Sequence, residues 1–204
     1  MMPRPTTKAA HMLVVCGPSG AGKSTLTQHL LAQRQRLRFS ISCTSRAARG
    51  RERDGVEYHF VERPRFDAML AAGEFAEWAD VHGNRYGTTH AAIDTALEAG
   101  FDVLFDIDYQ GARQLRAAFP GLWVVLVSPP SLEVLAARLR ARGTDDEVVI
   151  QRRLNIAQEE LEQEGLYDFV IHNDQLERAQ AAILSIYDAL CLRSDRACFE
   201  KHGS

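Results

Sequence analysis

The chain alternates between short, solidly apolar runs and longer stretches in which apolar residues recur at helical spacing. Residues 12–16 form an apolar run of strand length that leads into a glycine-rich turn, after which Leu26, Leu30 and Leu31 recur on one helical face. A second strand is predicted over 39–42. Val103-Leu104-Phe105 closed by Asp106, residues 123–127 stopped by Pro129 and Pro130, and Phe169-Val170-Ile171 predict further buried strands. One helix is predicted over 131–142, with Ser131 as N-cap, Leu132, Leu135 and Leu139 on one face and Gly143 as the stop. A polar segment then leads into a helix reaching about residue 164, and a closing amphipathic helix covers 175–190. Strands alternating with helices predict an α/β fold whose parallel sheet is covered on both faces. Residues 43–90 differ: charges and glycines dominate, around a strand-like Tyr58-His59-Phe60-Val61 and a helical piece over 66–72. They read as an inserted mixed α+β subdomain. Residues 1–10 read as a mobile leader, and 191–204 as a tail of weak periodicity.

The turn after the first run reads Gly17-Pro18-Ser19-Gly20-Ala21-Gly22-Lys23-Ser24, followed by Thr25, and fits G-x-x-x-x-G-K-[ST]. Strand, glycine-rich turn and helix start are the context in which this pattern cradles a polyphosphate. Glycines let backbone N–H groups approach phosphate without a Cβ in the way. The helix start adds unpaired donors and the positive end of its dipole. Lys23 can reach the β/γ-phosphates and the Ser24 hydroxyl can ligate Mg²⁺. Average residue usage puts a chance match at on the order of one in a hundred for a chain of this length, so the loop reads as a nucleoside-triphosphate site.

Composition narrows the setting. With 204 residues, 46% of them apolar and 25% charged, one ordinary globular domain is expected. A net charge of −3 argues against nucleic acid or a membrane surface as the main partner. Cys16, Cys43, Cys191 and Cys198 show no C-x-x-C spacing, and no secretory leader or membrane span is visible, so thiols in a reducing cytoplasm are expected. Cys16 ends the first strand and reads as a buried small hydrophobe. Oligomeric state is not legible.

Asp106, at the end of an apolar strand, is placed either to hold Mg²⁺ through water or to cap the following turn. Four arginines (Arg46, Arg49, Arg51 and Arg53) fall within eight residues. They suit either a solvated face or, for Arg46 and Arg49 beside hydroxyls, forked recognition of phosphate.

With these motifs in order, the chain resembles the guanylate kinase family. The resemblance rests on the loop above, on Ser42 with Thr44-Ser45-Arg46 and Arg49, and on Glu52, Gly55 and Tyr58. It continues through Gly73-Glu74-Phe75-Ala76-Glu77, Gly83-Asn84-Arg85-Tyr86-Gly87-Thr88, Asp106-Ile107-Asp108-Tyr109-Gln110-Gly111-Ala112, Arg138-Leu139-Arg140-Ala141-Arg142-Gly143-Thr144, Arg152-Arg153-Leu154 and Asn173-Asp174. It spans roughly residues 12–190. It implies transfer of the γ-phosphoryl of ATP to GMP, and extends to dGMP. It implies a P-loop NTPase-type sheet of five parallel strands (11–42, 91–130 and 165–190), a GMP-binding insert (43–90) and a helical lid (about 138–155). Ser42, Glu77, Thr88 and Asp108 match guanine-contacting positions, with Asp106 beside them. Arg46, Arg49, Tyr58 and Tyr86 match those that hold the GMP phosphate. Arg138, Arg142 and Arg153 match the lid, and Asn173 a residue near the ATP adenine.

The residue chemistry agrees with that implication. Guanine offers two adjacent donors, N1–H and the 2-amino group, beside the O6 acceptor. One ionised Glu77 can accept from both donors while Ser42 donates to O6. The acceptor is already an anion, so catalysis is expected to be positioning and neutralisation, with lid closure excluding water. Gly50-Arg51-Glu52, Ala48 and Cys43 depart from the family pattern and leave the course of the 47–55 loop open. Gly83, Asn84 and Gly87 predict a loop around Tyr86. Two other readings compete: a guanylate-kinase-like protein-binding module, which typically lacks the phosphate loop or lid arginines, and a sugar-phosphate kinase, which would not need Glu77 or Ser42.

Overall fold

In this computed structural model the described residues are 10–200 apart from 82, 142, 144, 145 and 164, with side chains described as far as 192. The leader up to residue 9 therefore lies outside them. The elements run β1 (Met12–Cys16), α1 (Lys23–Gln33), β2 (Leu37–Phe39), β3 (Cys43–Thr44), β4 (His59–Phe60), α2 (Arg63–Ala71), β5 (Phe75–Val81), β6 (Asn84–Thr89), α3 (His90–Glu98), β7 (Asp102–Asp106), α4 (Tyr109–Ala118), β8 (Trp123–Ser128), α5 (Leu132–Ala141), α6 (Glu147–Leu161), β9 (Phe169–His172) and α7 (Leu176–Glu200).

Five strands form a parallel sheet in the order β2-β7-β1-β8-β9. Its central strand sends alternate residues to opposite faces, as a strand period of two requires. Leu13 and Val15 pack under α1 and α7 with Leu26, Leu30, Ile183 and Tyr187. Val14 and Cys16 pack under α3 and α4 with Ile93, Ala112 and Leu115. Both layers are apolar apart from the Tyr187 hydroxyl, which donates to the buried Asp102, and this explains why the central strands read as solid apolar runs rather than alternating ones. Cys16 is fully buried within the second layer.

A smaller sheet, β4-β3-β6-β5, is built on the antiparallel β5–β6 hairpin and covered by α2. Phe66 of α2 stacks on Phe75 of β5 with ring centroids 4.4 Å apart. Helices α5 and α6 pack together through Leu135, Leu139, Ile150 and Ala157.

Four local expectations change. The second strand ends at Phe39 instead of covering 39–42: the Ser40 N–H still bonds Leu104 C=O at 2.8 Å, and the chain then crosses to the smaller sheet as β3. Helix α2 starts at Arg63, with a proline in its first turn where the missing N–H costs nothing. Tyr86 lies in strand β6, not on a loop. Only Gly83 serves the turn, while Gly87 lets β6 pass Phe75, whose ring would stand 2.8 Å from a Cβ there. Helix α7 continues to Glu200, ten residues past the predicted end.

Candidate active site

The glycine-rich loop bridges the carboxyl end of β1 and the start of α1. Gly17 has φ 137°, and a Cβ on it would stand 2.3 Å from the Val127 carbonyl oxygen of β8. Gly22 caps α1 with φ 102°, and its Cβ would stand 2.2 Å from Asn173 Nδ2. Both backbones are left-handed and crowded, so glycine is required by conformation and by space. Asn173, at the end of β9, donates from Nδ2 to the Ala21 carbonyl at 2.7 Å. Arg138 on α5 donates to the Asn173 carbonyl at 3.1 Å. Lys23 Nζ donates across the loop to the Gly17 carbonyl at 2.5 Å. Ser24 and Thr25 lie exposed in the first turn of α1 beyond it.

Glu160 on α6 accepts the Gly17 N–H at 3.2 Å, so the loop's first residue is held at its N–H by Glu160 and at its carbonyl by Lys23. Its carboxyl is pushed up to about 7 by burial, against the opposing pull of Lys23. No local pattern marks this role: an acid beside Glu159 on a polar helix looks like one more solvated charge.

Asp106 ends β7 beside the loop. Burial raises its carboxyl, while Lys23 draws it down. Asp108 caps α4, accepting the Gly111 N–H at 2.9 Å. A cavity of about 560 Å³ is lined by Ser19, Gly20, Gly22, Lys23, Ser24 and Asp106 and extends to Ser42, Glu52 and Tyr58. A second, of about 460 Å³, shares Lys23, Ser42, Tyr58 and Asp106 and runs on to Glu77, Tyr86 and Asp108. The shared residues make one cleft with two lobes.

Arg46, only 8% exposed, bonds one residue of each lobe, Glu52 of the first and Tyr86 of the second. Its guanidinium forks onto Glu52 at 2.9 and 3.0 Å, donates from Nε to the Tyr86 hydroxyl at 3.2 Å and to the Ala47 carbonyl at 2.7 Å. The rings of Tyr58 and Phe60 flank it at 5.4 and 5.7 Å. The Arg46 hydrogen bond, first of all, holds the Glu52 carboxyl below its ordinary range. Glu52 also accepts the Arg49 N–H at 2.7 Å, which closes the 49–52 turn and leaves the Arg49 side chain exposed. That settles the course of the loop left open above.

Glu77 sits in β5 opposite Thr88 of β6 and is 3% exposed. Burial pushes its carboxyl up to about 7; hydrogen bonding from Thr88 works against this and the nearby Asp108 charge adds to it. Ser42 Oγ lies 3.2 Å from Thr88 Oγ1, so Ser42, Glu77 and Thr88 form one polar cluster, of which Ser42 and Glu77 line the second lobe.

From the other side of the cleft, Arg153 Nη1 on α6 donates to Ser19 Oγ at 3.2 Å. Arg152 lines the second lobe. Arg142 lies outside the described residues.

A parallel sheet in this strand order, with a glycine-rich loop between its central strand and the first helix, defines a P-loop nucleotide-binding fold. The family model described as Guanylate kinase matches residues 9–190, and the chain belongs to that family. A guanylate kinase of Dechloromonas aromatica is 53% identical over 171 residues, covering 84% of this chain and 85% of the relative. One from Neisseria gonorrhoeae is 45% identical over 189 residues, covering 93% and 92%. The crystal structure of guanylate kinase from Anaplasma phagocytophilum superimposes with a TM-score of 0.72 at 31% identity, covering 89% of this chain and 86% of that one.

Proposed function

We propose that this chain is a guanylate kinase that transfers the γ-phosphoryl of ATP to GMP, giving ADP and GDP, in the cytoplasm. The observation that carries the reading is the two-lobed cleft, in which the glycine-rich loop lines the first lobe, Glu77 lines the second, Lys23 and Ser42 line both, and Arg46 ties Glu52 of the first to Tyr86 of the second. ATP occupies the loop, its phosphates on the backbone N–H groups of residues 17–24 and on Lys23, with Asn173 bracing the loop at the adenine end. In the second lobe Glu77 accepts from both guanine donors, Ser42 donates to O6, and Thr88 and Asp108 complete the base contacts. Arg46, Arg49, Tyr58 and Tyr86 hold the GMP phosphate. None of these contacts touches the ribose 2′ position, so dGMP is expected to be accepted.

Ser24 and Asp106 offer oxygen donors at the mouth of the loop, which suits Mg²⁺. Bound there, Mg²⁺ would neutralise phosphate charge. The acceptor is an anion that needs no deprotonation. What the residues must supply is in-line placement of two highly charged groups, through Lys23, Arg46, Arg49 and the lid arginines Arg138, Arg142 and Arg153. Inward movement of the lid and of the smaller sheet would bring the lobes together and exclude water.

ADP release from Mg-ATP in the presence of GMP tests the reading. Lys23→Ala should abolish turnover and leave the fold intact; near-normal kcat would refute the loop's role.

A further inference from the structure

Glu77 lies against helix α4, and α4 belongs to the large sheet, not to the sheet that carries Glu77. At Gly111, in the first turn of α4, a Cβ would stand 2.5 Å from Glu77 Oε2, 3.2 Å from its Cδ and 3.2 Å from Ile107 Cδ1. The backbone there is ordinary helix, so the need for glycine is one of space alone. One turn on, Gln114 Oε1 accepts the Trp78 N–H at 3.1 Å and its Nε2 donates to the Trp78 carbonyl at 2.7 Å. Strand β5 is the edge of the smaller sheet, and this amide pairs with its outer peptide groups as a neighbouring strand would. Glu77 is thus fixed from two directions by one helix: its carboxylate by the gap at Gly111, its backbone by the clamp on the next residue.

We propose that Gly111 and Gln114 are positioning residues for base specificity, setting where the Glu77 carboxylate meets the purine edge. This rests on the reading that Glu77 accepts from guanine. A methyl group at Gly111 must displace the carboxylate, the mobile end of a side chain, so the fold is spared and recognition is not. Gly-to-Ala within a helix favours the helix, so stability and specificity should move in opposite directions.

The test is steady-state kinetics with GMP and with IMP, which lacks the 2-amino donor, on Gly111→Ala, Gln114→Met, Glu77→Gln and the double variant Gly111→Ala/Glu77→Gln, alongside thermal melting. Gly111→Ala should melt at or above the parent. Its kcat/KM for GMP should fall about 10- to 100-fold, chiefly through KM, with a narrowed GMP:IMP ratio and little further loss in the Glu77→Gln background. Gln114→Met, which keeps bulk and loses the amide, should raise the GMP KM in the same way. A parental GMP:IMP ratio in folded Gly111→Ala and Gln114→Met, or an equal loss with and without Glu77, overturns the proposal. An unchanged ratio in Glu77→Gln alone would instead refute Glu77 as the base reader.

Discussion

Glu52 accepts both prongs of the Arg46 guanidinium, at 2.9 and 3.0 Å. Glu52 lines the first lobe of the cleft and Arg46 also bonds Tyr86 of the second, with Arg46 nearly buried and Glu52 partly exposed. A planar fork suits a carboxylate and a phosphate equally. Glu52 therefore holds the arginine in the shape that a phosphate will use, and by accepting the Arg49 N–H it also holds the turn that presents the second arginine.

Removing that brace should weaken GMP binding even though it removes a negative charge from the phosphate site. Glu52→Ala is expected to raise the GMP KM about tenfold, the scale of one charge-assisted hydrogen bond, with a smaller change in kcat. Initial rates over a GMP series check this. A lowered KM would mean that Glu52 repels the phosphate more than it orders Arg46.

Glu77 makes GMP recognition pH-dependent. With its carboxyl at about 7, raised by burial from an ordinary 4.5, the free protein carries a proton there at pH 6 that binding of both guanine donors must expel. The GMP KM should therefore fall about tenfold from pH 6 to pH 8. Stability runs the other way. Between 4.5 and 7 the folded chain holds a proton that the unfolded chain has released, so this group makes unfolding easier as pH rises through that window. A GMP KM independent of pH would remove the ionised carboxylate from base recognition.

Gly22 meets Asn173 where the loop enters α1. Gly22→Ala forces a left-handed backbone and a clash with Asn173 Nδ2, together costing about 1–3 kcal/mol. The melting temperature should drop and stabilisation by added ATP should be lost. Unimpaired stabilisation by ATP would show that the loop tolerates the shift.

Arg153 reaches Ser19 at the tip of the loop. If lid arginines act mainly as charge moves between phosphates, Arg153→Ala should lower kcat by about 100-fold or more while changing the GMP KM little. The opposite split would make Arg153 a binding residue.

The central strands of the large sheet, β7, β1 and β8, were legible because they are buried on both faces and announce themselves as apolar runs, whereas the edge strand β2, with Arg38 and Phe39 exposed, was misplaced. The smaller sheet was not legible. β5 shows no clean alternation of apolar and polar residues, since Glu77, whose charge would place it in water, occupies a buried position of the strand together with Ala79. That same inversion is what makes it a site residue. The phosphate loop was legible from local chemistry alone, because its glycines answer to backbone geometry within a few residues. Glu160, Gln114 and the bracing role of Glu52 depend on contacts between elements distant in sequence or on a turn whose course no local pattern fixes. For these, residue type alone was indistinguishable from an ordinary polar surface.

The central claim is tested most directly by ADP release from Mg-ATP measured in parallel with GMP, dGMP, AMP, CMP, UMP and IMP. GMP should give the highest kcat/KM, with dGMP close behind. AMP should be lower by roughly 10⁴-fold, because a lone pair at adenine N1 faces the buried Glu77 carboxylate. Equal turnover of AMP and GMP, or no GMP-dependent ADP release, would contradict the account.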